Sequence, residues 1–177
     1  MSILKWLGLG SQKEPERNVG ETATVRRIVG KLEAMEPEQA RYIAAFAYIL
    51  GRVANADLDI SEEETREMER LVQRHGELSE DQAVLVVQIA KSQNKLLGGT
   101  EDFLVTREFK RLSSEEQRLQ LLDCLFAVSA ADDSISSAEE ALVRQVANEV
   151  GLGHQEYVTA RAAYSDKREV MRLARDR

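Results

Sequence analysis

The feature that most restricts this chain is a repeat. Shifting the sequence by 75 residues superposes Leu50, Val53, Ala56, Asp57, Ile60, Ser61, Glu64 and Gly76 on Leu125, Val128, Ala131, Asp132, Ile135, Ser136, Glu139 and Gly151, and every pair is identical. The shared unit is an apolar helix, then Ala-Asp-x-x-Ile-Ser-x-x-Glu, then an amphipathic helix closed by glycine, which reads as an internal duplication. The two helix-loop-helix units span about residues 40–76 and 115–151. Neither unit can bury its apolar stripe alone, so both are expected to share one cooperative body. An approximate twofold packing is expected to bring the two acidic loops towards one side of the molecule.

Apolar spacing extends the helical reading across the chain. Val25, Ile28, Val29 and Leu32 recur at helical intervals, and Pro37 opens a second helix whose stripe is Ile43, Phe46, Ala47, Leu50 and Val53. Alanines around that stripe permit close neighbours. A third helix runs from Ser61 to Gly76 with Met68, Leu71 and Val72 inward, and a fourth starts near Ser79 with Val84, Val87 and Ile89. Gly98 and Gly99 break the pattern. Thr100 then caps a helix carrying Phe103, Leu104 and Phe109, and Ser113 or Ser114 caps one with Leu121, Leu122, Leu125 and Val128. A seventh helix runs from Ser136 to about Val150, and an eighth from His154 extends into the tail. Two prolines and 5% aromatic residues leave little strand signal. The expected fold is all-α, a compact bundle of seven to eight helices. Residues 1–20 form an apolar segment plus linker, and residues 21–177 form a single helical domain.

Charge and composition narrow the function. Lys and Arg total 24 against 31 Asp and Glu, a formal charge of −7, which argues against nucleic acid and favours a cationic partner. Cys124 stands alone, so no disulfide or cysteine-based zinc site is available, and a reducing cytoplasm is the expected location. No nucleophile with a base and orienter, no phosphate loop and no dinucleotide fingerprint is visible, so a non-enzymatic role is expected. Residues 1–10 carry Ile3, Leu4, Trp6, Leu7 and Leu9 ahead of a polar linker. Too short to span a bilayer, they suit peripheral contact with the inner face of a membrane, or docking.

The repeated loops hold the chemistry. Ser61-x-x-Glu64 and Ser136-x-x-Glu139 each match a capping box, which needs no ligand. Capping does not require Asp57 and Asp59 together. Asp57, Asp59 and Ser61 put oxygen side chains at alternate positions, as loops that wrap hard cations do. A standard EF-hand is excluded, because Glu62 and Met68 stand where its glycine and closing glutamate belong. The second loop offers Asp132, Asp133 and Glu139. The candidate ligands are therefore Asp57, Asp59, Ser61, Glu64, Asp132, Asp133 and Glu139, and the first loop is expected to bind more tightly. The candidate ions are calcium, magnesium, manganese and zinc.

Val53-Ala-Asn-Ala-Asp-Leu-Asp-Ile-Ser-Glu-Glu-Glu64 and Val128-Ser-Ala-Ala-Asp-Asp-Ser-Ile-Ser-Ser-Ala-Glu139, with the helices between them, resemble the TerB-like tellurite-resistance proteins of bacteria. These are related to the N-terminal domain of the DjlA membrane-anchored co-chaperones. The resemblance covers about residues 40–164. The family pattern reads Ala-Asp-Gly at each loop, and Leu58 and Asp133 replace that glycine here. The resemblance implies an all-helical pseudo-repeat, a role in tellurite and other chemical stress, membrane-associated protein complexes, and metal chemistry at Asp57, Glu64, Asp132 and Glu139. A metal-free helical module for protein interaction is the alternative.

Two further residues are read as structural. His75 aligns with Val150 and is expected to pack at a helix end, and His154 stands apart. Cys124 aligns with Ile49 and is expected to behave as a small buried hydrophobe. In the tail, Lys167, Arg168, Arg172, Arg175 and Arg177 interleave with Val170, Met171 and Leu173, so Val170 and Leu173 are expected to pack on the body.

Overall fold

A computed structural model describes residues 19–54, 61–93, 102–131 and 134–168, together with Met171 and Leu173. Eight helices account for most of them: α1 (Val19–Glu33), α2 (Pro37–Val53), α3 (Glu62–His75), α4 (Glu80–Gln93), α5 (Asp102–Leu112), α6 (Glu115–Ser129), α7 (Ser137–Glu149) and α8 (His154–Ala162). A single 3-10 turn, Ser165–Lys167, follows. No strand occurs among the described residues; Ile135 and Arg168 form one isolated parallel bridge.

Helix α2 is the axle of the bundle. Every residue from Tyr42 to Leu50 is buried, so the helix is covered on all sides rather than along one stripe. It packs chiefly on α4 and α5 and also touches α1, α6 and α7. Small side chains allow this: a Cβ on Gly51 would sit 3.4 Å from the Ala90 carbonyl of α4. Its repeat mate α6 is similarly sunk, with Leu121, Leu122 and Cys124 through Ser129 buried. Helix α3 lies across α4 and α6. The two repeat units thus share one continuous core, as expected of stripes that cannot be buried alone.

Four caps mark the joints. Ser61, Ser114 and Ser136 each close a capping box. Ser79 makes the same exchange with Gln82, its amide donating to Gln82 Oε1 at 3.0 Å while its Oγ accepts from the Gln82 amide at 3.3 Å. Gly76 ends α3, but not by the left-handed geometry its repeat mate uses. Gly151 has φ +81°, whereas Gly76 is right-handed at φ −82° and Glu77 carries the positive φ of 50°. Gly76 is needed for space, because a Cβ there would meet the Val72 carbonyl at 2.7 Å and the Phe46 ring at 3.0 Å.

At the periphery the apolar residues and the tail take other places than the core. Phe103 and Leu104 are 60% and 51% exposed, because α5 faces the core through Val105, Thr106 and Phe109. The last helix does not run into the tail: α8 stops at Ala162, and Arg168 is extended, its side chain drawn to Glu140. Leu173 is 61% exposed and does not pack on the body. Val170 lies outside the described residues, as do Thr100 and residues 1–10.

Candidate functional site

The structure builds each acidic loop around a cap. At the first, the Ser61 amide donates to Glu64 Oε2 at 2.7 Å and the Glu64 amide donates to Ser61 Oγ at 3.2 Å. At the second, the Ser136 amide and hydroxyl both donate to Glu139 Oε2, at 2.8 and 2.7 Å, and the Glu139 amide returns to Ser136 Oγ at 3.2 Å. Both boxes use Oε2 alone. Oε1 of Glu64 and Oε1 of Glu139 are left without a protein partner among the described residues. The Ser61 amide, and then its hydroxyl, hold the Glu64 carboxyl below the ordinary glutamate range, so this exposed group stays ionised.

Asp57, Asp59, Asp132 and Asp133 lie outside the described residues, so the structure places only Ser61, Glu64 and Glu139 of the seven candidate ligands. Among the described residues no three His, Cys, Asp or Glu side chains are arranged to hold a metal. One free carboxylate oxygen per loop falls far short of the six to eight oxygens a calcium ion takes, so further donors would have to come from the loop aspartates.

The end of the helix before the first loop is tied to the far end of the helix after the second. Arg52, one residue before the end of α2, donates to Glu149 at the C-terminal end of α7 at 2.8 Å. Ser136 lies at the other end of that helix, about 20 Å away at 1.5 Å per residue. Arg52 also reaches Asp102 Oδ2 at 3.2 Å, and Tyr48 donates to Asp102 Oδ1 at 2.8 Å, which ties α2 to α5 and α7. Burial alone would raise the Glu149 carboxyl, but hydrogen bonds from Arg52 and Gln145 outweigh it and hold it low.

The second loop is strapped down by the C-terminal segment, and here the repeat loses its symmetry. The Ile135 amide donates to the Lys167 carbonyl at 2.8 Å, and Ile135 itself is buried. One residue on, the Arg168 guanidinium clamps both oxygens of Glu140, with Nε and Nη2 each at 2.8 Å. Arg161 adds a third bond at 3.2 Å, and Arg144 stands 3.9 Å away. Glu140 is 5% exposed; burial would raise its carboxyl, but Arg168 and then Arg161 hold it below the ordinary range. The first unit has Thr65 at this position, donating to the Ser61 carbonyl at 2.8 Å and accepting from Lys91 at 2.9 Å. Sequence reasoning missed Glu140. Its signal was a carboxylate in register with Val143 and Ala147 on the apolar stripe of α7.

His75 and Cys124 take the structural places expected of them. His75 Nδ1 lies 2.6 Å from Asp123 Oδ2, and Tyr164 donates to Asp123 Oδ1 at 2.8 Å, so one carboxylate ties α3 and the segment after α8 to α6. Cys124 is fully buried, and burial, with the adjacent Asp123 carboxylate, pushes its thiol up. No described nucleophile is held by a base in the way acyl transfer needs.

A family model described as Tellurite resistance protein TerB matches residues 42–162, from the buried first half of α2 to the last residue of α8. No curated protein and no solved structure matches the chain.

Proposed function

The chain belongs to the TerB tellurite-resistance family, and on that premise we propose a non-enzymatic role in the bacterial response to tellurite and related chemical stress, exercised through divalent-cation binding at the acidic interhelical loops. One observation carries this reading. Each capping box fixes its glutamate through Oε2 and leaves Oε1 open, so the cap pre-orients a charged donor instead of consuming it. Asp57, Asp59, Ser61 and Glu64 would hold an ion at the first loop, and Asp132, Asp133 and Glu139 at the second. Hard oxygen donors suit calcium, magnesium or manganese better than zinc.

Calorimetric and thermal titration of the full chain with each of the four ions tests the reading. The Glu64→Gln variant is the sharp comparison, because glutamine still closes a capping box while losing the charge a hard cation requires. The expected result is an unchanged melting temperature without metal and a smaller ion-induced rise. An ion response absent from the parent at millimolar metal defeats the proposal.

A second reading, the metal-free protein-interaction module, is favoured by the exposed Phe103 and Leu104, adjacent on α5. It predicts partner capture that is indifferent to chelator and is lost in a Phe103→Ser, Leu104→Ser double variant. Among the described residues no helix is long and apolar enough to cross a membrane. Peripheral membrane contact through residues 1–10 is tested by liposome flotation against a chain starting at Glu21, and equal flotation removes it.

A further inference from the structure

Away from both acidic loops, a cleft of about 400 Å³ opens where the first turns of α2 and α6 meet the turn between α3 and α4. That volume is within the usual range of ligand sites. Its lining includes two carboxylates, Glu38 and Glu77, and no Lys, Arg or His.

Two features give the cleft polar groups without protein partners among the described residues, and a third marks its rim. Tyr42, only 9% exposed and with its ring stacked on Phe109 at 5.2 Å, is one of the lining residues, and its hydroxyl has no hydrogen-bond partner among the described residues. Burial, with a smaller contribution from Cys124, pushes that hydroxyl up to about 12, so it remains a neutral donor and acceptor. Gln82 and Gln117 also line the cleft, and each has its amide orientation decided by a cap. The Ser79 amide bonds Gln82 Oε1 at 3.0 Å and the Ser114 amide bonds Gln117 Oε1 at 2.9 Å. Both Nε2 groups are therefore left as donors without partners among the described residues. Glu77 is held at φ 50°, a left-handed conformation that costs a residue with a side chain about 1–2 kcal/mol.

We propose that this cleft binds a lysine- or arginine-bearing peptide segment, its cationic side chain met by Glu77 and Glu38 and its backbone carbonyls by the Gln82 and Gln117 amides and the Tyr42 hydroxyl. A cation without carbonyls leaves the amide donors unmet, and an acidic segment meets two carboxylates. The overall charge of −7 steers basic segments towards the molecule. The site is independent of metal, so its failure and that of the cation proposal are separate results.

The test is titration of the isotope-labelled full chain, in chelator, with acetyl-Gly-Gly-Arg-Gly-Gly-amide, following backbone amide resonances. Saturable shifts are expected at residues 38–42, 76–82 and 114–120. Tyr42→Phe and Glu77→Gln should each weaken binding by about fivefold, the worth of one ordinary hydrogen bond. Gln117→Glu keeps the Ser114 cap and removes the two amide donors, so it too should weaken binding although it adds negative charge. The proposal is overturned if the glutamate version of the peptide shifts the same residues equally, or if agmatine, a guanidinium without carbonyls, binds as well. Absence of saturable shifts up to about 10 mM, weaker than useful recognition, also overturns it.

Discussion

Replacing Glu140 by glutamine isolates the strap that holds the second loop. The parent carboxylate accepts from Arg168 twice at 2.8 Å and from Arg161 at 3.2 Å while almost wholly buried. Glutamine preserves the shape, but it replaces a charged oxygen with an NH₂ that faces guanidiniums. Removing one partner of a buried, hydrogen-bonded ion pair costs about 3–5 kcal/mol. Arg161 and Arg168 retain some solvent exposure and can be rehydrated, so the expected loss is about 2–3 kcal/mol. At about 2–4 °C per kcal/mol for a chain of this size, the melting temperature should fall by about 4–12 °C at pH 7. Thermal unfolding by circular dichroism measures it. Because the folded-state carboxyl titrates below its ordinary value, its stabilisation is complete above that value and is lost as pH falls through the folded one. The parent and Glu140→Gln curves should therefore converge in acid. Hydrogen exchange at the Ile135 amide, which donates to Lys167, should accelerate in the variant. A loss below about 0.5 kcal/mol at pH 7, the scale of an ordinary surface change, refutes the reasoning. So does a gap that persists undiminished in acid.

Other perturbations test the core and its joints. Leu125→Ala deletes a fully buried side chain of α6 and should cost about 2–5 kcal/mol in urea unfolding. A chain ending near Gly99 should not melt cooperatively, because α3 loses its α6 partner; a sharp melt would make the repeats independent. Glu77→Gly relieves a left-handed residue worth about 1–2 kcal/mol and adds about 0.5–1 kcal/mol of chain entropy, leaving a gain of about 0.5–1 kcal/mol. Gly76→Ala should destabilise despite its ordinary backbone angles, since the new methyl meets the Val72 carbonyl at 2.7 Å. Cys124 should resist thiol reagents until the protein unfolds, because burial raises its thiol and removes access; rapid labelling of the folded chain would contradict its placement.

The all-helical body, the eight helices among the described residues and the caps at Ser61 and Ser136 were legible because their causes are local, while the choice between Ser113 and Ser114 was left to the structure. Apolar spacing of 3.6 residues and a serine three residues before Glu or Gln act within one or two turns. Legibility failed where burial depends on a neighbour. Phe103 and Leu104 have helical spacing with Phe109, but only the rotation of α5 against α2 decides that Phe109 goes inward and the other two face solvent. Likewise Gly76 reads as a helix stop from sequence, but only the approach of the Phe46 ring from α2 makes it a close-contact glycine, with the positive φ falling at Glu77 instead.

For the candidate sites the division is similar. The sequence by itself determined that two acidic loops exist, that each is followed by a capped helix, and that Ser and Glu at the repeat positions are engaged with one another, since these interactions span only three residues. Only the tertiary structure decided what the differing residues beside the two loops do. Thr65 and Glu140 occupy the same repeat position, but the tail folds back over one of them, so a carboxylate is sunk among arginines at Glu140 and a hydroxyl meets Lys91 at Thr65. The cleft at Tyr42 arises the same way, from helix ends far apart in the chain. Local hydrogen bonds are set by neighbours in sequence, whereas burial, and with it the strength of charge and the direction of a free donor, is set by whatever other element arrives in space.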